Sequence, residues 1–294
     1  MVFKHLLKGY ESYRSNFLAI VATILLSGVL GYLSFAIITA VLEALLFPFG
    51  LLLVSFLSGV TYDLVLKMVS GEAIILEPVI LVLAIWSFTV PAVVVSTPFF
   101  QSAVGVYLKA VGRGATVDDY IDTLSSRFRA FLGLGLVYSA LGFILLLSAV
   151  YALLYVLGGM SFPAVSAMET IVLQPYPAFL PVSVALGALW SVLAFGFSFS
   201  PWFVAEGFPA LQALRRSFSF VFNRRNVFRI LALYLLLAVS ILAMVLLVGV
   251  LSLAGIGAAL LGLVLLFLIG VFFVVPVFQL ALTDFYRKNR RRTR

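Results

Sequence analysis

Cysteine is absent and histidine occurs once, at position 5. The first absence excludes disulfides, thiolate metal sites and cysteine nucleophiles, and the second leaves no imidazole pair for acid–base work. Charge is scarce as well, with Asp, Glu, Lys and Arg making up 10% of the 294 residues. None of the patterns HExxH, GxSxG or GxxxxGK[ST] occurs, which removes the common signatures of zinc hydrolases, serine hydrolases and phosphate-cradling loops. Ten-residue segments of alternating polarity, the mark of an outer-membrane barrel, are missing too. On these grounds the sequence predicts no catalysis, no cofactor and no metal centre.

What fills the chain is apolar: 64% of its residues are hydrophobic and the mean hydropathy is +1.23. A soluble domain cannot hide that much apolar surface. Runs of about 20 apolar residues match the thickness of a bilayer core, and in lipid only helices and closed barrels satisfy their own backbone. The expected fold is therefore all-α, a polytopic integral membrane helical bundle of about six transmembrane helices. The spans are placed at about residues 17–46, 79–106, 131–157, 180–204 and 228–253, with a sixth that follows a glycine turn at Gly255 and Gly257 and ends near Leu282. Pro91 and Pro98 should kink the second. Residues 47–78 are ambiguous among spanning, re-entrant and interfacial, because Asp63, Lys67, Glu72 and Glu77 interrupt an apolar run. Charge bias favours an interfacial or re-entrant helix on the outer side. The nearly uncharged stretch 158–179 is expected to be an outer loop with room for one short helix.

The net charge is +8, and with these spans 18 of the 19 Lys and Arg residues fall on one side, Lys67 being the exception. The positive-inside rule then predicts a multi-pass protein of the cell membrane with both termini in the cytoplasm.

A local grammar recurs on the basic side. TPFFQSAVGVYLKAVGR, SPWFVAEGFPALQALRR and VPVFQLALTDFYRKNRR align on Pro98, Pro201 and Pro276, each with basic residues about three helical turns on. SNFLAI, RAFLGL and NVFRIL align on Phe17, Phe131 and Phe228, each opening a long apolar run. The distances from Phe to Pro are 81, 70 and 48 residues, so the copies differ mainly in their outer loops. One membrane domain, 1–294, of three pseudo-repeated hairpins at about 1–113, 114–216 and 217–294 is expected, each led by a basic interfacial helix. Within the second lead-in, Thr116 and Asp119 are spaced as a capping box variant.

The densest basic segment is 201–237. Pro209 suits the first turn of a helix, and Glu206 just upstream would favour that helix's positive end. Phe208, Leu211, Leu214, Phe218, Val221 and Phe222 recur at three- and four-residue steps, which leaves most arginines on another face. Arg215, Arg216, Arg224 and Arg225, with Arg127 and Arg129 in the preceding connection, are the candidate contacts to anionic lipid headgroups. Anionic lipid explains such clusters more cheaply than nucleic acid, so no nucleic-acid partner is expected. Glu206, Gln101 and Gln279 are the candidate polar residues of structure or pathway, with helix–helix hydrogen bonding the modest expectation for the glutamines. Glu43 and Asp284 read as boundary residues or local helix caps. Trp86 and Trp190, inside spans, should pack against another helix or line a cavity.

Glu206, the run Ala213, Leu214, Arg215, Arg216, Ser217, then Asn223 and the apolar stretch from Phe228 together resemble the membrane domain of glycerophosphoryl diester phosphodiesterases and related stand-alone prokaryotic membrane proteins. The motif covers about 30 residues and the six-span layout extends it loosely over the chain. The resemblance implies a helical bundle with basic cytoplasmic connections and carries no active site over; no soluble catalytic domain accompanies it here. Two readings follow. One is a non-catalytic bundle that binds membrane lipids or a membrane-protein partner as scaffold, regulator or biogenesis factor. The other is a permease or lipid translocator with its path between the repeats.

Overall fold

The computed structural model describes residues 2–46, 50–70, 77–112, 114–157, 161–163, 170–172, 178–252 and 255–290. The protein is an all-α polytopic bundle. In chain order the helices are α1 (Val2–Ser15), α2 (Phe17–Leu46), α3 (Gly50–Ser70), α4 (Glu77–Gln101), α5 (Ala103–Ala110) and α6 (Asp118–Leu157). They continue with α7 (Phe179–Gly196), α8 (Ser200–Ala205), α9 (Ala210–Val221), α10 (Val227–Ser252), α11 (Ile256–Ile269), a π-helical turn at Gly270–Val274 and α12 (Val275–Asn289). Among the described residues six stretches of helix are long and apolar enough to cross a membrane: Phe17–Ala44, Thr89–Ala110, Asp118–Leu157, Phe179–Ala205, Val227–Leu251 and Leu260–Asn289. α3, the ambiguous segment, is helical but is not one of the six.

Three details add to the sequence expectation. The second basic lead-in and the third span form a single 40-residue helix, α6, about 60 Å long at 1.5 Å per residue. It starts where expected: the Thr116 backbone N–H donates to Asp119 Oδ2 at 2.9 Å, half of a capping box. In α4 the helix runs through Pro91 and Pro98, and the break falls at Ser102, whose hydroxyl donates to the Pro98 carbonyl at 2.6 Å. In the loop after α6, the described residues are strands, β1 (Ser161–Pro163) and β2 (Thr170–Val172), paired antiparallel. The rest of that loop, where a short helix was expected, lies outside the described residues.

The chain divides into two compact units, and α2, α4, α6 and the last residue of α7 carry the chain between them. The second unit comprises Tyr32–Thr97 and Leu132–Phe195. Its buried cluster is Leu64, Tyr151, Leu154 and Phe179. Polar groups in it are satisfied locally: the Ser148 and Ser183 hydroxyls each donate to the other residue's carbonyl at 2.8 Å. Trp86 Nε1 donates to the Ser139 carbonyl at 2.7 Å and its ring meets Phe143 edge-on, so this tryptophan packs on another helix. Lys67, the one Lys or Arg in the sequence of this unit, is held by Asp63 at 3.0 Å and by Glu77. Hydrogen bonding to Glu77, then to Asp63, pushes its ammonium above the ordinary lysine range.

The first unit comprises Met1–Gly31, Pro98–Phe131 and Gly196–Arg294. Here α1 packs along α12. Gly9 makes that possible, since a Cβ there would sit 2.6 Å from the Val277 carbonyl oxygen. Tyr13 donates its hydroxyl to the Phe272 carbonyl at 2.5 Å, inside the π turn, where the widened ladder leaves a carbonyl in need of a donor. Burial pushes the Tyr13 phenol above its usual pKa. The α1–α2 junction is fixed by buried Asn16, which donates to the Ser12 and Ala110 carbonyls at 2.9 and 3.3 Å and accepts the Ala115 N–H at 2.8 Å.

Candidate functional site

The site grows out of the break between α7 and α8. Gly196 ends α7 and Ser200 opens α8, which frees backbone groups across residues 197–199. Ser217 of α9 takes them up: its buried hydroxyl donates to the Gly196 carbonyl at 2.7 Å and accepts the Phe199 N–H at 3.0 Å. Gly196 must be bare, because a Cβ there would stand 2.4 Å from the Phe218 ring. α8 then closes with a Schellman arrangement, Gly207 N–H to the Val204 carbonyl at 2.9 Å and Phe208 N–H to the Phe203 carbonyl at 3.1 Å. Gly207 has φ +110°, a conformation that glycine adopts without a Cβ penalty. Pro209 follows as the N-cap of α9, with ψ 155°.

These turns gather an aromatic core from α8, α9 and α12. Phe199 and Phe220 stand 5.1 Å apart, Phe203 meets Tyr286 edge-on at 5.1 Å, and Phe199 stacks on Tyr286 at 6.0 Å. The polar tips of the core find partners: Trp202 Nε1 donates to Thr283 Oγ1 at 2.9 Å and Tyr286 donates to Glu206 Oε2 at 2.9 Å. Glu206 is also ion-paired with Arg290. The expected role of Glu206 at the positive end of α9 is thus replaced, because an arginine and a phenol reach it from α12's end of the core. Asp284 is 4% exposed and accepts His5 Nδ1 at 2.7 Å and Lys288 Nζ at 2.6 Å. It is an internal clamp between α1 and α12, more than a boundary cap.

Beside this core opens a cavity of about 510 Å³, lined by Phe203, Glu206, Phe208, Arg216, Ser219, Phe220 and Arg290. Arg216 lies over the Phe208 ring at 3.9 Å. Arg215 and Arg216 border a smaller depression of about 390 Å³ with Gln212 and Ser219. Arg224 and Arg225 are exposed in the turn after α9. On the other side of Phe208 a second cavity, also about 510 Å³, is lined by Ser125, Ser126, Arg127, Phe128, Arg129 and Gly207–Pro209. The candidate arginines therefore separate: Arg216 with Arg290 on one side of Phe208, Arg127 with Arg129 on the other, Arg224 and Arg225 apart from both cavities.

Gln101 is half-buried at the last position of α4. Gln279 places Oε1 in the interior with no hydrogen-bond partner among the described residues, so the expected interhelical bond is not made by that atom. Glu43 is exposed on α2. Tyr286, Arg290 and His5 were not singled out as site residues. Their partners lie 80 to 279 positions away, and no local pattern announces such pairings. Among the described residues no group of three or more His, Asp or Glu side chains is placed to hold a metal ion.

Fold and site together define a polytopic membrane protein with a packed aromatic core and a basic rim. No family model, curated protein or solved structure matches the chain.

Proposed function

We propose that this is a non-catalytic integral membrane protein whose basic rim binds anionic lipid headgroups, and which acts on lipid or on a membrane-protein partner as a scaffold, regulator or biogenesis factor. In this reading it is a multi-pass protein of the cell membrane, with both termini and the arginine-rich connections in the cytoplasm. The carrying observation is that Arg127, Arg129, Arg215, Arg216, Arg224 and Arg225 have no carboxylate partner among the described residues. Of the acids in this unit, Glu206 is engaged by Arg290, Asp284 by His5 and Lys288, and Asp119 by Lys109 at 3.7 Å, while Asp118 and Asp122 are exposed on α6. Each such cation near an anionic leaflet contributes ~1 kcal/mol of attraction.

The aromatic core supports the scaffold reading over a permease or translocator, since rings in edge and stacked contact leave little room for a path through that unit. The resemblance to the phosphodiesterase membrane domain agrees with a helical, non-catalytic role.

Lipid retained by the purified protein tests the proposal. After extraction from membranes of mixed composition, native mass spectrometry should find phosphatidylglycerol enriched over phosphatidylcholine. The variant with Arg127, Arg129, Arg215, Arg216, Arg224 and Arg225 all changed to Gln should lose most of that enrichment. Equal retention of both lipids by the unaltered protein would overturn the reading, and accelerated flip of fluorescent lipid in reconstituted vesicles would move it to the translocator.

A further inference from the structure

The second cavity separates itself from a generally basic surface. Its walls come from α6 on one side and from the Gly207–Pro209 turn on the other. Among the described residues no acidic side chain lines it. Glu206, adjacent in sequence to the turn, is drawn away by Arg290 and Tyr286. Arg127 is half-buried and has no ion pair among the described residues. Its guanidinium lies beside Gly207, where an added Cβ would stand 3.0 Å from Nη2. Arg129 adds a second cation and Phe128 and Phe208 add apolar walls. The serines do not compete as donors: Ser125 and Ser126 give their hydroxyls to the Asp122 carbonyl at 3.2 and 2.5 Å.

A half-buried, unpaired guanidinium forgoes part of its hydration, and a bound anion would restore the lost interactions. The planar fork of arginine matches phosphate oxygens in pairs. The cavity holds more than a bare phosphate, and the apolar run of α6 begins beside it at Phe131. From this we infer that the cleft between Arg127 and Gly207 is a discrete site for the phosphate diester of an anionic phospholipid headgroup, gripped by Arg127 with Arg129 beside it. The inference rests on the lipid-binding reading above and adds one defined site to it. Gly207 serves the site twice, through its positive φ and by leaving room for the guanidinium.

Native mass spectrometry of the full chain in detergent, titrated with phosphatidylglycerol, tests this. One lipid per chain should resist dissociation. Arg127→Gln should weaken its retention about ten-fold or more, and Arg127→Lys by less, since the charge stays and the fork is lost. Gly207→Ala should weaken it as well, with Arg127 itself intact. The pair Arg224→Gln and Arg225→Gln should lower the total lipid count but change retention of the tight molecule less than two-fold. Size-exclusion profiles and thermal midpoints identify folded variants, and Arg127→Lys supplies the comparison if Arg127→Gln does not fold. If the unaltered chain retains lipid but Arg127→Gln has no effect, the site falls and the broader reading stands. If the unaltered chain retains none, both fall. Displacement of the tight lipid by inorganic phosphate at equal concentration would overturn the lipid assignment.

Discussion

Ser217 shows how much one hydroxyl can hold in a chain so poor in polar groups. It is 0% exposed, and its two bonds, to the Gly196 carbonyl and from the Phe199 N–H, are what let α7 stop and α8 begin inside an apolar surround. Ser217→Ala orphans a buried donor and a buried acceptor together. A loss of about 1–3 kcal/mol is expected. Reversible unfolding in mixed micelles, read by tryptophan fluorescence near Trp202, measures it. Ser191→Ala removes only a hydroxyl bonded within its own exposed helix, to the Gly187 carbonyl at 2.8 Å, and should cost less than about 0.5 kcal/mol. Equal effects would refute the bridging role. At this scale the sequence marked Ser217 only as part of a motif. Its partners are backbone atoms 18 and 21 positions away, which side-chain patterns do not display. The arginines were legible as a basic cluster, yet their division by Phe208 depends on the turn at Gly207.

Among elements, the docking of α1 on α12 has the most explicit geometry. Gly9 faces the Val277 carbonyl oxygen and the Ala281 nitrogen, both backbone atoms that cannot rotate aside. Gly9→Val should therefore force the helices apart at a cost of roughly 1–3 kcal/mol, and more if the Tyr13 to Phe272 bond is lost with it. Tyr13→Phe, which deletes that bond alone, should cost about 1 kcal/mol. Chemical denaturation curves for the two variants check both figures, and a Gly9→Val protein as stable as the parent would contradict the close approach. The amphipathic character of α1 and the basic tail of α12 were readable locally. Their partnership was not, because it joins the two ends of the chain. The repeat illustrates the same limit. Pro98, Pro201 and Pro276 are all buried, and each lies in or near a backbone irregularity: the Ser102 break, the 197–199 turn and the π turn. The aligned phenylalanines differ, Phe131 being 0%, Phe17 48% and Phe228 71% exposed. Ile20, Leu134 and Ile230 are each 0% exposed, so burial favours a register one residue earlier in the last copy.

For the whole molecule the strongest regularity is the side on which cations emerge. Hydropathy made the six spans legible, since length and apolarity are local properties, and the same count appears in the structure. Orientation is a further step, argued from the 18 cations of 19 that the six spans leave on one side. Reversing the bundle would carry those clusters across the membrane, against the bias that sets topology during insertion. Cysteine is absent, so single cysteines report without background. In intact cells a membrane-impermeant maleimide should label Ala178→Cys, at an exposed position just before α7. It should leave Lys8→Cys and Arg224→Cys untouched until the membrane is permeabilised, because both positions are exposed to solvent only on the predicted inner side. Labelling of Lys8→Cys from outside would invert the orientation and place the arginine cavities away from the cytoplasmic leaflet. Opposite results for Lys8→Cys and Arg224→Cys would mean an odd number of crossings between them, and α3 would then have to be counted as a span.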